Sequence, residues 1–487
     1  MDIKDIFIIG GGINGVGIAA DAAGRGLSVS LCEKNDLAYA TSSASTKLIH
    51  GGLRYLESYE FNLVRKALLE REILMRKAPN LVKPLKFLLP YEKHLRSPWL
   101  IRLGLFLYDH LAPRKKIPRS KKIKFKKEIL KEKFKKGFSY YDCFTDDARL
   151  VVLNAISAKE NGAEILTQTE FVSAERVNSQ WKITVKNDDK EQIYFSKVLI
   201  NASGPWVYDV NNRITNGSSF SVQLVKGSHI VVPKLYEGDF AYILQNQDKR
   251  IVFAIPYQND FTLIGTTDIL VSYAELLPIA EHEINYLCNT INQYFRKNIS
   301  KDTIVWTYSG IRCLQNQDAD KPSSITREYS ILLDVEDHAT PLISVIGGKL
   351  TTFRRLAQDV LAKLKPFFPK MPGDWTADSP LPGCDFHNND FDSFLNQLRS
   401  EYHWLPENIL IRYATNYGTR CKLFLNNTAQ LSDLGEHFGA GLYQKEIDYL
   451  IEHEWAKNID DIIWRRTKLG LFLTAEEKEK LLKTLVQ

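Results

Sequence analysis

The chain begins with a few polar residues and then a tight apolar run, Ile6 to Ile9, which breaks at GGGINGVGIAADAAGRG. A strand is expected over the run, and a helix that starts inside the glycines and ends at Gly24 or Gly26. A second apolar run, Leu27 to Leu31, predicts another strand that stops at Glu33. Two later runs end in the same manner. Val198 to Ala202 leads into Ser203-Gly204-Pro205-Trp206, and Leu342 to Ile346 leads into Gly347-Gly348, after which Thr351 and Thr352 open a helix. Between these junctions the pattern turns to alternation over Ser221 to Val232 and Arg250 to Thr267, which predicts strands of a second sheet. Beyond about Pro372 the period lengthens. Pro372, Pro380 and Pro382 punctuate the approach, and DYLIEHEWAKNIDDIIWRRTKLGLFL places apolar residues three and four apart, as helices do.

The first junction carries chemistry. Gly10, Gly12 and Gly15 form G-x-G-x-x-G between a strand and a helix, and the acidic Glu33 closes the next strand. That is the setting of a dinucleotide fingerprint. Gly10 permits the tight turn, Gly12 lets backbone approach a pyrophosphate, and Gly15 lets helix and strand pack closely. The helix N-terminus offers free N–H groups to phosphate, and Glu33 accepts from an adenosine ribose. NAD and FAD both use this motif. After Glu33 the chain runs KNDLAYATSSASTKLIHGGLRYLE, a loop of small and hydroxyl residues where an NAD enzyme usually enters another helical crossover. Such a loop suits an extended ligand, with Gly51 and Gly52 letting backbone pass close to a flat ring.

Composition adds limits. The 487 residues are 44% hydrophobic and 25% charged, enough for two or three domains and a sizeable core. Cys32, Cys143, Cys288, Cys313, Cys384 and Cys421 are too scattered for a zinc ribbon or redox pair and read as buried small hydrophobes in a reducing compartment. MDIKDIFIIGGG lacks the features of a secretory signal, and no run reaches the ~18 apolar residues that a membrane-spanning helix needs. The net charge of +6 is unevenly spread: Pro113 to Lys136 is densely basic and follows the apolar, aromatic-flanked stretch Pro98 to Leu111. An apolar helix beside a polybasic patch suits an anionic lipid surface. A core helix followed by a solvated loop is the competing reading. Few aromatics interleave the basic run and the overall charge is modest, so no nucleic-acid partner is expected.

STKLIHGGLRYLE, following a nucleotide fingerprint, resembles the FAD-dependent, respiratory glycerol-3-phosphate dehydrogenases. DDARL (146–150), NASGPW (201–206), KGSHIVVP (226–233), AYILQNQDKRIVFAIPY (241–257), IGTTD (264–268), VWTYSGIR (305–312), ITRE (325–328), GGKLTTFR (347–354), SDLGEHFG (432–439) and WRRTKLGL (464–471) extend the resemblance nearly end to end.

The resemblance implies an α/β fold: a Rossmann-like FAD-binding domain of the glutathione-reductase/D-amino-acid-oxidase type, with an inserted antiparallel-sheet substrate domain and a C-terminal helical domain. The expected divisions are 1–57, 140–210 and 335–365 for FAD, 58–139 and 211–334 for the cap, with 98–136 as membrane-contact candidate, and 372–487 for the helical domain. The implied FAD contacts are Gly10, Gly12, Gly15, Glu33, Thr41, Ser42, Ser45, Leu48, His50, Gly51, Gly52, Ala202, Gly204, Trp206, Gly348, Lys349, Leu350 and Thr351. The last junction aims a helix N-terminus at the flavin pyrimidine, although an ordinary turn or a third phosphate site fits the pattern too. The substrate implied is sn-glycerol 3-phosphate, oxidised to dihydroxyacetone phosphate. Arg54, Tyr55, Arg327 and Thr351 are its expected binding residues, and His229, Arg312 and Lys349 stand near the reacting carbon. Either His229 takes the alcohol proton or Arg312 lowers the alcohol pKa. The chain departs from the family at Cys313, where proline is usual, which removes a restraint after Arg312. The resemblance further implies a membrane quinone as acceptor, with an oxidase that makes peroxide from oxygen as alternative. It implies a monotopic protein on the cytoplasmic face of the inner membrane, and it leaves a homodimer as the assembly to test.

Overall fold

The computed structural model describes residues 2–92, 97–114, 117–125, 128–215, 220–248, 250–315, 328–336 and 339–486. Two sheets organise it. The first runs, from one edge, through Ser330–Glu336, Ala339–Ile346, Lys190–Asn201, Ile3–Ile9, Val29–Cys32 and Glu164–Leu166. Its centre is parallel: Ile3–Ile9 pairs with Val29–Cys32 on one side and the end of Lys190–Asn201 on the other, which in turn pairs parallel with Ala339–Ile346. Ile6, Phe7 and Ile8 are wholly buried, as a strand covered on both faces requires. The hairpin Glu170–Val177 and Gln180–Asn187 hangs from Lys190–Asn201.

Helix Ile13–Gly24 packs between helices Asp147–Glu160 and Phe353–Leu364. Phe353 explains Gly17, because a Cβ there would lie 2.7 Å from the phenyl ring.

The second sheet is antiparallel except where Phe240–Gln245 pairs parallel with Lys83–Pro90. Val222–Pro233 is its longest strand, paired on one side with Phe261–Gly265 and Ile269–Val271 and on the other with Trp306–Gln315. This pairing sets Cys313 opposite Leu224, so sheet register restrains the backbone after Arg312. Helix Glu281–Tyr294 covers one face. Helices Phe61–Lys77 and Pro98–His110 pack toward the other.

Strand Lys136–Phe144 belongs to this second sheet and spans the expected division at 140. Ser330–Glu336 joins the first sheet ahead of the expected division at 335, and Leu48–Ile49 pairs in the second.

The tail is helical, as the spacing predicts: Phe391–Glu401, Glu407–Tyr417, Gln444–Glu454, a π-helical turn Asp461–Arg466 and Ala475–Val486. Its apolar side chains share one continuous core with the first sheet. All six cysteines are buried and free. Among the described residues no helix is long and apolar enough to cross a membrane.

Candidate flavin and substrate site

A cavity of about 590 Å³ lies between the two sheets and runs from the glycine turn to the strand carrying Arg312. Gly10 turns at φ +110°, and a Cβ there would meet the Ala202 carbonyl oxygen at 2.7 Å. Gly15 sits on Gly10: its Cβ would lie 1.9 Å from the Gly10 carbonyl oxygen, so any side chain would force helix and strand apart. Gly15 therefore serves the cavity from behind and does not line it. Glu33 braces the turn as well as lining the cavity. One carboxylate oxygen accepts from Gly11 N at 2.7 Å and the other from Asn35 N at 2.9 Å. Burial pushes its carboxyl up, against these two donors.

The loop from Asp36 is pinned along its length. Ser42 Oγ accepts from Ile13 N at 3.0 Å in the first turn of the helix, and Thr41 Oγ1 donates to the Ile311 carbonyl at 2.6 Å. Ser45 donates from N and Oγ to Asp147 Oδ2, at 3.0 and 2.7 Å. Lys47, almost wholly buried, donates to Asp147 Oδ1 at 2.7 Å and to the Ser43 carbonyl at 2.9 Å. Thr46 Oγ1 stands 2.9 Å from His229 Nε2, and Tyr308 stacks on the His229 ring while its OH donates to the Ser45 carbonyl at 2.8 Å. Further on, His50 N donates to Thr351 Oγ1 at 3.1 Å, tying the loop to the last junction. Gly51 N donates to Tyr108 OH at 2.9 Å, and a Cβ at Gly51 would meet Tyr108 OH at 2.6 Å. Gly51 thus packs on the helix beneath and does not line the cavity.

The other expected residues converge on it. Thr41, Ser42, Ser45, Leu48, His50, Gly52, Ala202, Gly204, Trp206, Gly348, Leu350 and Thr351 line it, together with Arg54, Tyr55, His229, Arg312 and Lys349. Arg327 lies outside the described residues. Lys349 Nζ sits 3.8 Å from the Tyr55 ring centroid, a cation–π contact that aims the ammonium. Arg312 pairs with Asp268. His229 is buried, and its Nδ1 is left without a hydrogen-bond partner. Burial, then the charges of Lys47 and Arg312, hold its pKa well below the usual imidazole range, so the ring is neutral.

Thr46, Lys47, Asp147, Asp268 and Tyr308 were not singled out from sequence. All five lie inside stretches that carry the resemblance: Thr46 and Lys47 in STKLIHGGLRYLE, Asp147 in DDARL, Asp268 in IGTTD and Tyr308 in VWTYSGIR.

One neighbour of His229 can be tested cleanly. Gly265 pairs with His229 across the sheet, and a Cβ there would lie 2.1 Å from His229 Cδ2. Gly265→Ala leaves the strand intact and pushes the imidazole aside. We expect flavin retained but substrate turnover down by at least about tenfold, because a shift of ~1 Å at a reacting group is costly. Flavin content and steady-state rates check this.

The structure fits FAD: a three-glycine cradle, a carboxylate at one end of the cavity, cations at the other, and the buried Asn14 Oδ1 on its wall without a partner. Fold and site together define a dinucleotide-dependent oxidoreductase whose cavity is lined by Arg54, Arg312 and Lys349. Residues 5–352 match the family described as FAD dependent oxidoreductase, and 375–487 match the C-terminal domain of alpha-glycerophosphate oxidase. A Pseudomonas aeruginosa glycerol-3-phosphate dehydrogenase is 50% identical over 99% of this chain and 94% of its own. A Brucella abortus D-erythritol 1-phosphate dehydrogenase is 48% identical over 97% and 96%. The structure of the Bacillus halodurans glycerol-3-phosphate dehydrogenase complexed with FAD superposes with a TM-score of 0.76 at 25% identity, covering 100% of this chain and 94% of that one. The chain belongs to the FAD dependent oxidoreductase family.

Proposed function

We propose that the chain is an FAD-dependent glycerol-3-phosphate dehydrogenase that oxidises sn-glycerol 3-phosphate to dihydroxyacetone phosphate. The observation that carries this reading is the convergence of Arg54, Arg312 and Lys349 with a neutral, buried His229 in one cavity beside the glycine cradle. Gly10, Gly12, Glu33, Ser42 and Thr351 would hold FAD. Bound FAD supplies the hydride acceptor. The remaining chemistry belongs to the chain. Arg54 holds the substrate phosphate as a fixed cation, and Lys349, expected near the reacting carbon, joins it there because its ammonium sits on the ring of Tyr55, one residue from Arg54. His229 takes the alcohol proton on Nδ1, which requires Nε2 to carry the ring proton and donate to Thr46 Oγ1. Arg312 stabilises the developing alkoxide.

The electrons go to a membrane quinone, and helix Pro98–His110 supports this reading. Ile101, Leu105 and Tyr108 face the core, whereas Trp99 is 83% and Leu103 55% exposed, with Leu100 and Phe106 beside them. Lys121 and Lys122, on a neighbouring strand, are exposed. An apolar face flanked by lysines suits an anionic bilayer surface. The double variant Leu103→Asp/Phe106→Asp is expected to lose co-sedimentation with phosphatidylglycerol vesicles while substrate still reduces its flavin. Unchanged sedimentation would count against a lipid-facing role.

The test of function is anaerobic addition of sn-glycerol 3-phosphate to the detergent-purified flavoprotein. Flavin bleaching with dihydroxyacetone phosphate formed supports the reading. Bleaching by D-erythritol 1-phosphate and not by glycerol 3-phosphate would move the substrate to the four-carbon polyol of the Brucella relative. Reoxidation by a short-chain quinone in preference to oxygen separates dehydrogenase from oxidase.

A further inference from the structure

The segment Trp464–Lys468 of the helical tail does not line the flavin cavity, yet its side chains end on the elements that build it. Arg465 Nε donates to Asp36 Oδ2 at 2.5 Å. Arg466 donates to the same carboxylate through both terminal nitrogens, each at 2.7 Å. Asp36 is 1% exposed and opens the cofactor loop three residues after Glu33. At the other end of the loop, Lys468 Nζ donates to Asp146 Oδ1 at 3.0 Å. Asp146 caps the helix Asp147–Glu160 by accepting from Arg149 N, and Asp147 holds Ser45 and Lys47. Trp464 stacks on Trp306, at 4.5 Å and 11°, where the strand leading to Arg312 begins. One short stretch therefore grips the start of the loop, the helix cap that anchors its end, and the opposite wall.

General stabilisation is the plain alternative, since buried ion pairs also join domains. The pattern of contacts argues otherwise. Three consecutive or near-consecutive cations converge on the flanks of 36–47, whereas ion pairs elsewhere in the same interface, such as Arg420 with Glu160, reach no loop residue.

We propose that Trp464–Lys468 is the positioning element of the cofactor loop, so that the C-terminal domain sets FAD affinity without touching FAD. This rests on the FAD assignment. The grip acts on the loop's conformational freedom: a loop already held in its binding conformation loses little further freedom when the ligand arrives.

The experiment uses holoenzyme variants Lys468→Met, Arg466→Lys and, as control, Arg420→Met. FAD Kd is read from free-FAD fluorescence on dilution, and unfolding temperature from tryptophan fluorescence with and without excess FAD. For Lys468→Met and Arg466→Lys we expect Kd to rise at least about tenfold, the scale of one lost charged hydrogen bond. The unfolding temperature should then recover with excess FAD, because ligand binding to the native state restores stability by mass action. Arg420→Met should lower the unfolding temperature and leave Kd within twofold. If Lys468→Met fails to fold, Arg466→Lys, which keeps the charge, still gives the reading. A Kd within twofold of wild type in the loop-gripping variants overturns the proposal, as does an equal rise in the control. Wild type that holds no FAD, either as purified or after reconstitution with excess FAD, overturns the cofactor assignment and this proposal with it.

Discussion

Arg312→Met is expected to cut kcat/KM for glycerol 3-phosphate by about 10²–10³, the usual loss when a preorganised charge at a developing oxyanion is removed. Arg312 faces Val225 across the longest strand of the second sheet, and its guanidinium lies over Gly227, where a Cβ would come within 2.9 Å of Nη2. The glycine thus clears the path by which the side chain reaches the cavity. Asp268 holds the guanidinium from one side, and its side chain is only 10% exposed. Methionine there removes the cation but leaves Asp268 in a site that must receive a dianion, so KM should rise as well as kcat fall. Arg312→Lys restores charge without the planar fork, and its rate should fall between the two. FAD content should stay at wild-type level, because the glycine cradle and Glu33 are untouched. Stopped-flow flavin reduction without oxygen measures the step directly. A methionine variant within tenfold of wild type would remove Arg312 from the chemistry.

What was legible beforehand divides by range along the chain. The glycine turn reads from sequence because its parts lie within a few residues: Gly10, Gly12 and Gly15 meet through local geometry, and Glu33 follows from one strand-helix-strand unit. The helical tail reads from its period for the same reason. The loop 36–47 is different. Its order depends on Asp147, a hundred residues away, on His229 beside Thr46, and on Arg465 and Arg466 at the far end of the chain. No periodicity reports such pairings, because each residue alone reads as an ordinary surface charge or hydroxyl. Lys47 shows the point. In sequence it is one lysine in a polar stretch, and in the fold it is 1% exposed and paired with Asp147. Sheet membership fails in the same way. Lys136–Phe144 carries an alternation that suits either sheet, and its pairing with Lys83–Pro90 decides which.

His229→Gln should lower kcat/KM by about 10²–10⁴, the range for a positioned general base. Glutamine approximates the shape and can meet Thr46, but it cannot take a proton, so binding should survive better than turnover. The pH dependence gives a second, independent signature. Burial first, then Lys47 and Arg312, depress the folded-state pKa of His229, so between that value and the ordinary ~6.5 the unfolded chain binds a proton that the folded one refuses. Above about pH 6.5 both states are neutral and His229 costs no stability. As pH falls below that point the unfolded state gains, and stability drops progressively toward the folded-state pKa. His229→Gln removes the drop, so the variant should lose less stability on acidification than wild type in urea titrations across this window. The same depression keeps the ring neutral in the folded enzyme, and the acid limb of wild-type kcat/KM should therefore lie below the range of a free histidine. An acid limb centred near pH 6.5 that vanishes in His229→Gln would mean that the ring is solvated when substrate binds. His229 would then titrate as an open histidine, and the buried base drawn here would be wrong.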